Sequence, residues 1–388
     1  MILRLPTAPS VRSLPVRPGQ RRLTSTKPFD PLRILFCGSD GFSIASLRAL
    51  YDAKQANQNF IESIEVAHRP GKRTGRGLKV IRQVPIQKVA KKELALQTHE
   101  IDTFTGWTPP TPFDIIIAVS FGLLVPPRIL NGTKYGGLNV HPSLLPDLRG
   151  PAPIHHTLLK RRSKAGVTIQ TLHPEHFDQG LILAQTPPPG IDVPEGATPT
   201  DLIEQLGLLG GEMLVRVLEN GDFVPPLKEA GWYAGSGGPI DHAEKITPAH
   251  RHIDFSTATA QDILTRHRVL GNLWSMLPGK EERFIINEIE AFDIESDAND
   301  ITSALEEGAS ANTTPGVFVA LSPTSHALCA RTADGKILRI KSTTCPGGMK
   351  GRGNSHIIGV LLQQQMVPES VSKLEIPFGQ FGQLRQRQ

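Results

Sequence analysis

Two polar residues interrupt a short apolar run, Gly137-Leu-Asn-Val-His141. Side chains alternate faces along a strand, so Asn139 and His141 point the same way. The end of a strand in an open α/β sheet is where such folds place ligands. A carboxylate, Asp178, follows a second strand-like run at 166–172 and precedes Gly180. An Asn, a His and an Asp can run acyl transfer without a covalent intermediate. The amide polarises the carbonyl and holds the developing oxyanion. The imidazole moves a proton off an attacking amine and on to the leaving one. The carboxylate orients or charges the imidazole. No serine or cysteine stands in a nucleophile-elbow pattern. His155 and His156, like His173 and His176, show no convincing metal spacing, so they are expected on helix or loop surfaces and no metal is expected. Taken alone, Asn139 and His141 read as a strand cap; the rest of the chain raises them to candidates.

The elements that must position these residues alternate between strand and helix. Residues 32–38 predict a buried strand ending in glycine, and 39–50 a helix (Phe42, Ala45, Leu47, Leu50). No GxGxxG joins them, so a dinucleotide site is not indicated. Residues 61–67 predict a second strand, 84–95 a helix starting near Pro85, and 113–119 a buried parallel strand. After the Asn139–His141 strand come a proline-studded loop, a helix at about 153–161, strands at 166–172 and 181–185, and a helix at 199–218 capped near Thr200. This pattern is α/β with an open, mostly parallel, Rossmann-like sheet, over residues 30–232. Residues 233–246, with Ala234-Gly-Ser-Gly-Gly-Pro239, predict a linker. Residues 247–388 predict a small β-barrel led by a helix at 253–267. Its strands fall in 284–294 and 316–340, with a hairpin signal at Asp334-Gly335 and a polar insertion at 295–314.

Charge is unevenly placed. The net charge is +5. Arg4, Arg12, Arg17, Arg21, Arg22 and Lys27 precede the first acid, Asp30, in a stretch rich in Ser, Thr and Pro. That composition predicts a mitochondrial presequence at 1–29 and a mitochondrial matrix location. Setting those six aside, the other basic residues of the 42 nearly balance the 37 acids. The C-terminal part stays basic, which points to an anionic partner. The segment 69–79 packs five cations and three glycines with no acid, which suits phosphate contact through backbone and side chains alike. Three scattered cysteines (Cys37, Cys329, Cys345) argue for a reducing compartment, and no apolar run approaches a membrane span.

The run from Asn139 to Ile154, Asn-Val-His-Pro-Ser-Leu-Leu-Pro-Asp-Leu-Arg-Gly-Pro-Ala-Pro-Ile, resembles the folate-dependent formyltransferases, as do Gly166-Val-Thr-Ile and Asp178-Gln-Gly180 downstream. The resemblance implies that Asn139, His141 and Asp178 are catalytic and that 10-formyltetrahydrofolate is the formyl donor. It implies that Ser143, Leu144, Leu145 and Pro146 line the folate site, with Phe121, Gly122, Leu123 and Leu124 walling the pteridine pocket. Gly75-Arg-Gly77, the start at 32–38 and the second domain (Ile253-Asp-Phe, Gly316-Val-Phe-Val) resemble the branch of that family acting on methionyl initiator tRNA. The likeness spans roughly residues 31–360. It implies a formyltransferase fold followed by an OB-like barrel, and a monomer. Lys72, Arg73, Arg76 and Lys79 would meet the acceptor stem, and Lys336, Arg339, Lys341, Lys350 and Arg352 its backbone. The chain departs from that branch in Pro142, in Asp178-Gln-Gly-Leu181 (nearer the glycinamide ribonucleotide branch), in lacking a Thr-x-Pro-Asp start, and in the insertion at 295–314. A small amine as acceptor, or a non-catalytic RNA- or folate-binding relative, are the other readings of these residues.

Overall fold

In a computed structural model, residues 29–292, 314–321 and 326–363 are described. The expected presequence and the 295–314 insertion fall outside them, apart from Phe29 and Thr314. Phe29 packs edge-on against Phe223, with ring centroids 5.0 Å apart, and tilted against Phe60, so the folded unit reaches back at least that far.

The chain opens with β1 (Leu32–Gly38), α1 (Gly41–Ala56) and β2 (Ile61–His68). Asp40 caps α1 by accepting from the Ser43 amide. A small hairpin follows, β3 (Lys72–Thr74) and β4 (Val80–Arg82), paired with each other and not with the main sheet. Then come α2 (Pro85–Lys88, extended by a π turn at Val89–Glu93), β5 (Thr98–Glu100), β6 (Ile115–Val119), α3 (Pro127–Leu130), β7 (Gly137–His141) and α4 (Pro153–Leu159). β8 (Lys164–Ala165), β9 (Thr168–Thr171), β10 (Ile182–Gln185), β11 (Ile191–Asp192) and α5 (Pro199–Asn220) complete the first unit. The cap of α5 is Thr198, two residues before the expected Thr200. Its hydroxyl and the Asp201 carboxylate satisfy each other's backbone amides.

The main sheet runs β10-β9-β7-β6-β1-β2-β5. β7, β6, β1, β2 and β5 are parallel, and β9 is antiparallel to both β7 and β10. Ile34, Phe36, Ile117, Leu138, Val140, Val167 and Ile169 face one way, into a core shared with α1 and α5. Two glycines let those helices meet closely: a Cβ at Gly211 would sit 2.9 Å from the Ala49 Cβ, and one at Gly207 3.0 Å from that of Ala45. The fully buried Phe36, Phe42 and Phe60 each contribute about 1.5–3 kcal/mol by leaving water. Over β1, β2 and β6 the other face is mainly apolar, with Leu35, Cys37, Ala67, Ile116 and Ala118 under Phe104, Phe113 and Phe121, and with the buried Glu65 beside them bonded to His99 and Thr111. Over β7 and β9 the same face is polar: Asn139, His141, Thr168 and Gln170.

The second unit holds α6 (Ala260–Leu270), β12 (Leu273–Met276), β13 (Arg283–Ala291), β14 (Gly316–Leu321), β15 (His326–Arg331), β16 (Ile337–Thr344) and α7 (Asn354–Gln363). Its strands form one antiparallel sheet, ordered β12-β13-β16-β15-β14, curled around Phe284, Ile286, Leu328, Leu338 and Ile340 as a small barrel-like domain. Asp334-Gly335 turns β15 into β16. The helix predicted from residue 253 begins only at Ala260, where Thr259 and Asp262 form a capping box. Ile253 and Phe255 are buried from an irregular segment, in which Asp254 accepts from the Ser256 amide and the Ile253 amide donates to the Trp274 carbonyl.

The segment between the units is not a loose tether. The Leu148 amide donates to the Asp241 carbonyl, and the Ala243 amide to the Arg149 carbonyl. His156, expected on a helix surface, is buried and bonds through Nε2 to the Glu244 carbonyl. The joining segment is thereby fixed to the loop that follows β7.

Candidate active site

His141 ends β7 at the carboxyl edge of the parallel strands and is 5% exposed. Its Nδ1 lies 3.3 Å from Asp178 Oδ1, and its Nε2 3.1 Å from the Leu148 carbonyl oxygen. Both ring nitrogens therefore face acceptors; a neutral ring can donate to one of them and an imidazolium to both. Asp178 comes from the loop between β9 and β10 and has a left-handed backbone, φ 55°. The Gly150 amide donates to its other oxygen at 3.0 Å. Burial works against the Asp178 charge, but His141, the Gly150 amide and Arg149 outweigh it and hold the carboxyl below its usual range.

Asn139 sits one strand position away on the same face. Its Nδ2 donates to the Ala118 carbonyl of β6 at 3.0 Å, and its Oδ1 accepts from Gln170 Nε2 at 3.2 Å. Gln170 Nε2 is also 3.5 Å from Asp178 Oδ1, so the three predicted residues belong to one connected set. Sequence reasoning missed Gln170, which is 1% exposed and directly opposite Asn139 in the β7–β9 register. The available signal was its parity: in Val167-Thr-Ile-Gln170 the polar residues alternate with apolar ones on the strand neighbouring β7. Asp40 stands at the carboxyl edge of β1. Burial pushes its carboxyl up, partly offset by hydrogen bonds from Ser43 and Ser120.

The residues expected against folate are placed mostly inside the protein. Ser143, Leu144 and Leu145 are buried, and Pro146 is half-buried. Ser143 Oγ donates to the Asp147 carbonyl, and the Leu145 amide donates to Thr168 Oγ1. Phe121 is buried against Phe104, whereas Gly122 adopts φ 76° with open space where a Cβ would stand. Leu123 and Leu124 are half-buried. Under the Ser143–Pro146 turn, Asp147 is gripped by Arg162 through two contacts of 3.2 Å, and Arg162 also bonds Asp241. A cavity of about 1020 Å³ opens elsewhere, between α4, α6 and β16. Of the predicted site residues only Lys336 lines it, so its size does not mark the chemistry.

The expected phosphate contacts lie on two elements. Lys72, Arg73 and Lys79 are exposed on the β3–β4 hairpin, whose tip also exposes Leu78, Val80 and Ile81; Arg76 lies in its turn. Arg339 and Lys341 alternate with buried Leu338 and Ile340 on β16, and Lys341 pairs with Glu290. Lys336 is in the preceding turn, and Lys350 and Arg352 are exposed between β16 and α7.

Residues 32–218 match the formyl transferase family. Over 285 residues the chain is 33% identical to the mitochondrial methionyl-tRNA formyltransferase of Saccharomyces cerevisiae, covering 64% of this chain and 70% of that one. The chain belongs to the methionyl-tRNA formyltransferase family. It is 32% identical to the mouse mitochondrial methionyl-tRNA formyltransferase over 309 residues, covering 79% of this chain and 73% of that one. It is 35% identical to the bovine one over 256 residues, covering 66% and 60%. Among solved structures, HypX from Aquifex aeolicus is similar over 86% of this chain and 48% of that one, at a TM-score of 0.48 and 16% identity.

Proposed function

We propose that the chain transfers the formyl group of 10-formyltetrahydrofolate to the α-amine of methionyl initiator tRNA, for translation initiation in mitochondria. The observation that carries the reading is the hydrogen-bonded set of Asn139, Gln170, Asp178 and His141 at one sheet end, in a chain of this family. The amine attacks the formyl carbon, and the carbonyl electron pair moves on to oxygen. Asn139 Nδ2 donates to that oxyanion. The C–N10 bond then breaks, the amine nitrogen loses one proton and N10 gains one. His141, steadied by Asp178, relays that proton once it exchanges the Leu148 carbonyl for substrate. Holding two substrates in one cleft supplies much of the rate.

In this reading residues 29–232 form the catalytic domain, 233–246 the joining segment and 247–388 the tRNA-binding domain; the mitochondrial presequence, expected at 1–29, stops short of Phe29, which packs against Phe60 and Phe223 in the core. The Phe121–Leu124 and Ser143–Pro146 segments hold the folate, the latter by shaping the wall from within. Lys72, Arg73, Arg76 and Lys79 meet the acceptor stem, while Lys336, Arg339, Lys341, Lys350 and Arg352 follow its backbone. The test is Asn139→Ala, with labelled formyl transfer to methionyl-tRNA as the readout. Turnover should fall on the order of 100-fold or more, as for loss of an oxyanion donor. Near-normal turnover would remove Asn139 from that role.

A further inference from the structure

An amide side chain has nearly the same shape when turned by 180°, yet turning it exchanges donor for acceptor. A flipped Asn139 would aim Oδ1 at the developing oxyanion and repel it. Something must therefore fix which end faces the substrate. The Gly180 amide, which can only donate, lies 3.1 Å from Gln170 Oε1. Gly180 cannot be replaced without movement there, because a Cβ would fall 1.7 Å from the Thr171 carbonyl oxygen. With Oε1 so engaged, Gln170 presents Nε2 to Asn139, and Asn139 must answer with Oδ1. Asn139 Nδ2 then donates to the Ala118 carbonyl, which can only accept. Both ends of this relay are backbone groups of fixed polarity, so each amide has one orientation that satisfies it. One N–H of Asn139 Nδ2 is left over for the substrate.

We propose that Gln170 is a positioning residue that fixes the polarity of the Asn139 amide, so that its donor end faces the formyl oxygen. The proposal rests on the catalytic reading of Asn139 above. Three observations favour this over mere filling of space. Gln170 is the cross-strand partner of Asn139. It is 1% exposed, where an unpaired amide would be penalised. Its Oε1 accepts from the Gly180 amide, which can only donate, and its Nε2 faces, besides Asn139 Oδ1, the Asp178 carboxylate oxygen 3.5 Å away, which accepts, so the sense of Gln170 is set independently of Asn139.

The experiment measures kcat and KM for both substrates in Gln170→Met, Gln170→Glu, Asn139→Ala and the double variant Asn139→Ala/Gln170→Met. Methionine keeps the length and neutrality of Gln170 but neither donates nor accepts. Turnover of Gln170→Met should fall about 10- to 100-fold, part of the effect of losing the donor itself, with each KM within about threefold of the parent. In the double variant the Gln170 change should add little to the Asn139→Ala loss, because both act through one group. In Gln170→Glu an ionised carboxylate can accept from the Gly180 amide but cannot donate to Asn139, whereas a protonated one does both. Its kcat relative to the parent should therefore climb as pH falls, while the Gln170→Met ratio stays flat. A structural role alone would not produce that difference, and the Glu variant keeps the test open should the Met variant fail to fold. Parental turnover in Gln170→Met, a loss that multiplies fully on to Asn139→Ala, or a flat pH ratio in Gln170→Glu each overturns the proposal. Near-parental turnover in Asn139→Ala instead removes its premise, so the two failures are told apart.

Discussion

Asp178 keeps its negative charge although it is largely buried, because His141, the Gly150 amide and Arg149 face it. This has a consequence for pH. A carboxyl whose folded value lies below its unfolded value of ~3.9 stabilises the fold above that value and loses the contribution as pH falls below it. The stability gap between the parent and Asp178→Asn should then be set by the charged carboxylate from pH 8 down to about 5 and shrink only below about pH 4. Urea midpoints across that range measure it; a gap already closing between pH 7 and 5 would contradict the assigned environment. Turnover over the same upper range should show no acid limb arising from Asp178 itself.

The loop after β7 is held from below as well as from the site. Arg162 clasps Asp147 and reaches Asp241, and the Asp241 amide donates to Asp147. The Asp147 side chain is 7% exposed. Arg162→Met should strand that carboxylate and lower stability by about 3–5 kcal/mol, the scale for removing one partner of a buried pair. Denaturant unfolding is the check, and a loss under about 1 kcal/mol would show that the clasp is incidental. At this scale the sequence was informative wherever periodicity and burial agreed. The strand at 115–119 and the long helix α5 are apolar in patterns that admit one reading. The helix predicted at 253–267 failed at its start because Ile253 and Phe255 are buried from an irregular segment, whereas Thr259 and Asp262 set the true cap. Asn139, His141 and Asp178 could be singled out by type and by family likeness. Gln170 offered only its parity in the strand, because its meaning comes from lying opposite Asn139, and register between strands of uncertain pairing is not written in either one.

Across the whole molecule, cations stand on two elements far apart in sequence, the β3–β4 hairpin and the barrel-like domain, while the Asn139, His141 and Asp178 set belongs to neither. If both elements hold tRNA phosphates, replacing Lys72, Arg73, Arg76 and Lys79 by Gln should reduce the slope of log affinity against log salt by on the order of two to four. The KM for folate should stay unchanged, and binding titrations at several salt concentrations decide it; an unaltered slope would free the hairpin of that role. The joining segment, fixed by backbone hydrogen bonds to the loop that bears Leu148 and Gly150, ties the barrel-like domain to the surroundings of His141. The acceptor is decided by one competition assay. The purified chain is given labelled 10-formyltetrahydrofolate with methionyl initiator tRNA, free methionine and glycinamide ribonucleotide, separately and together. Label should pass to the charged tRNA alone; transfer to glycinamide ribonucleotide, with the tRNA left unformylated, would overturn the assignment of the acceptor.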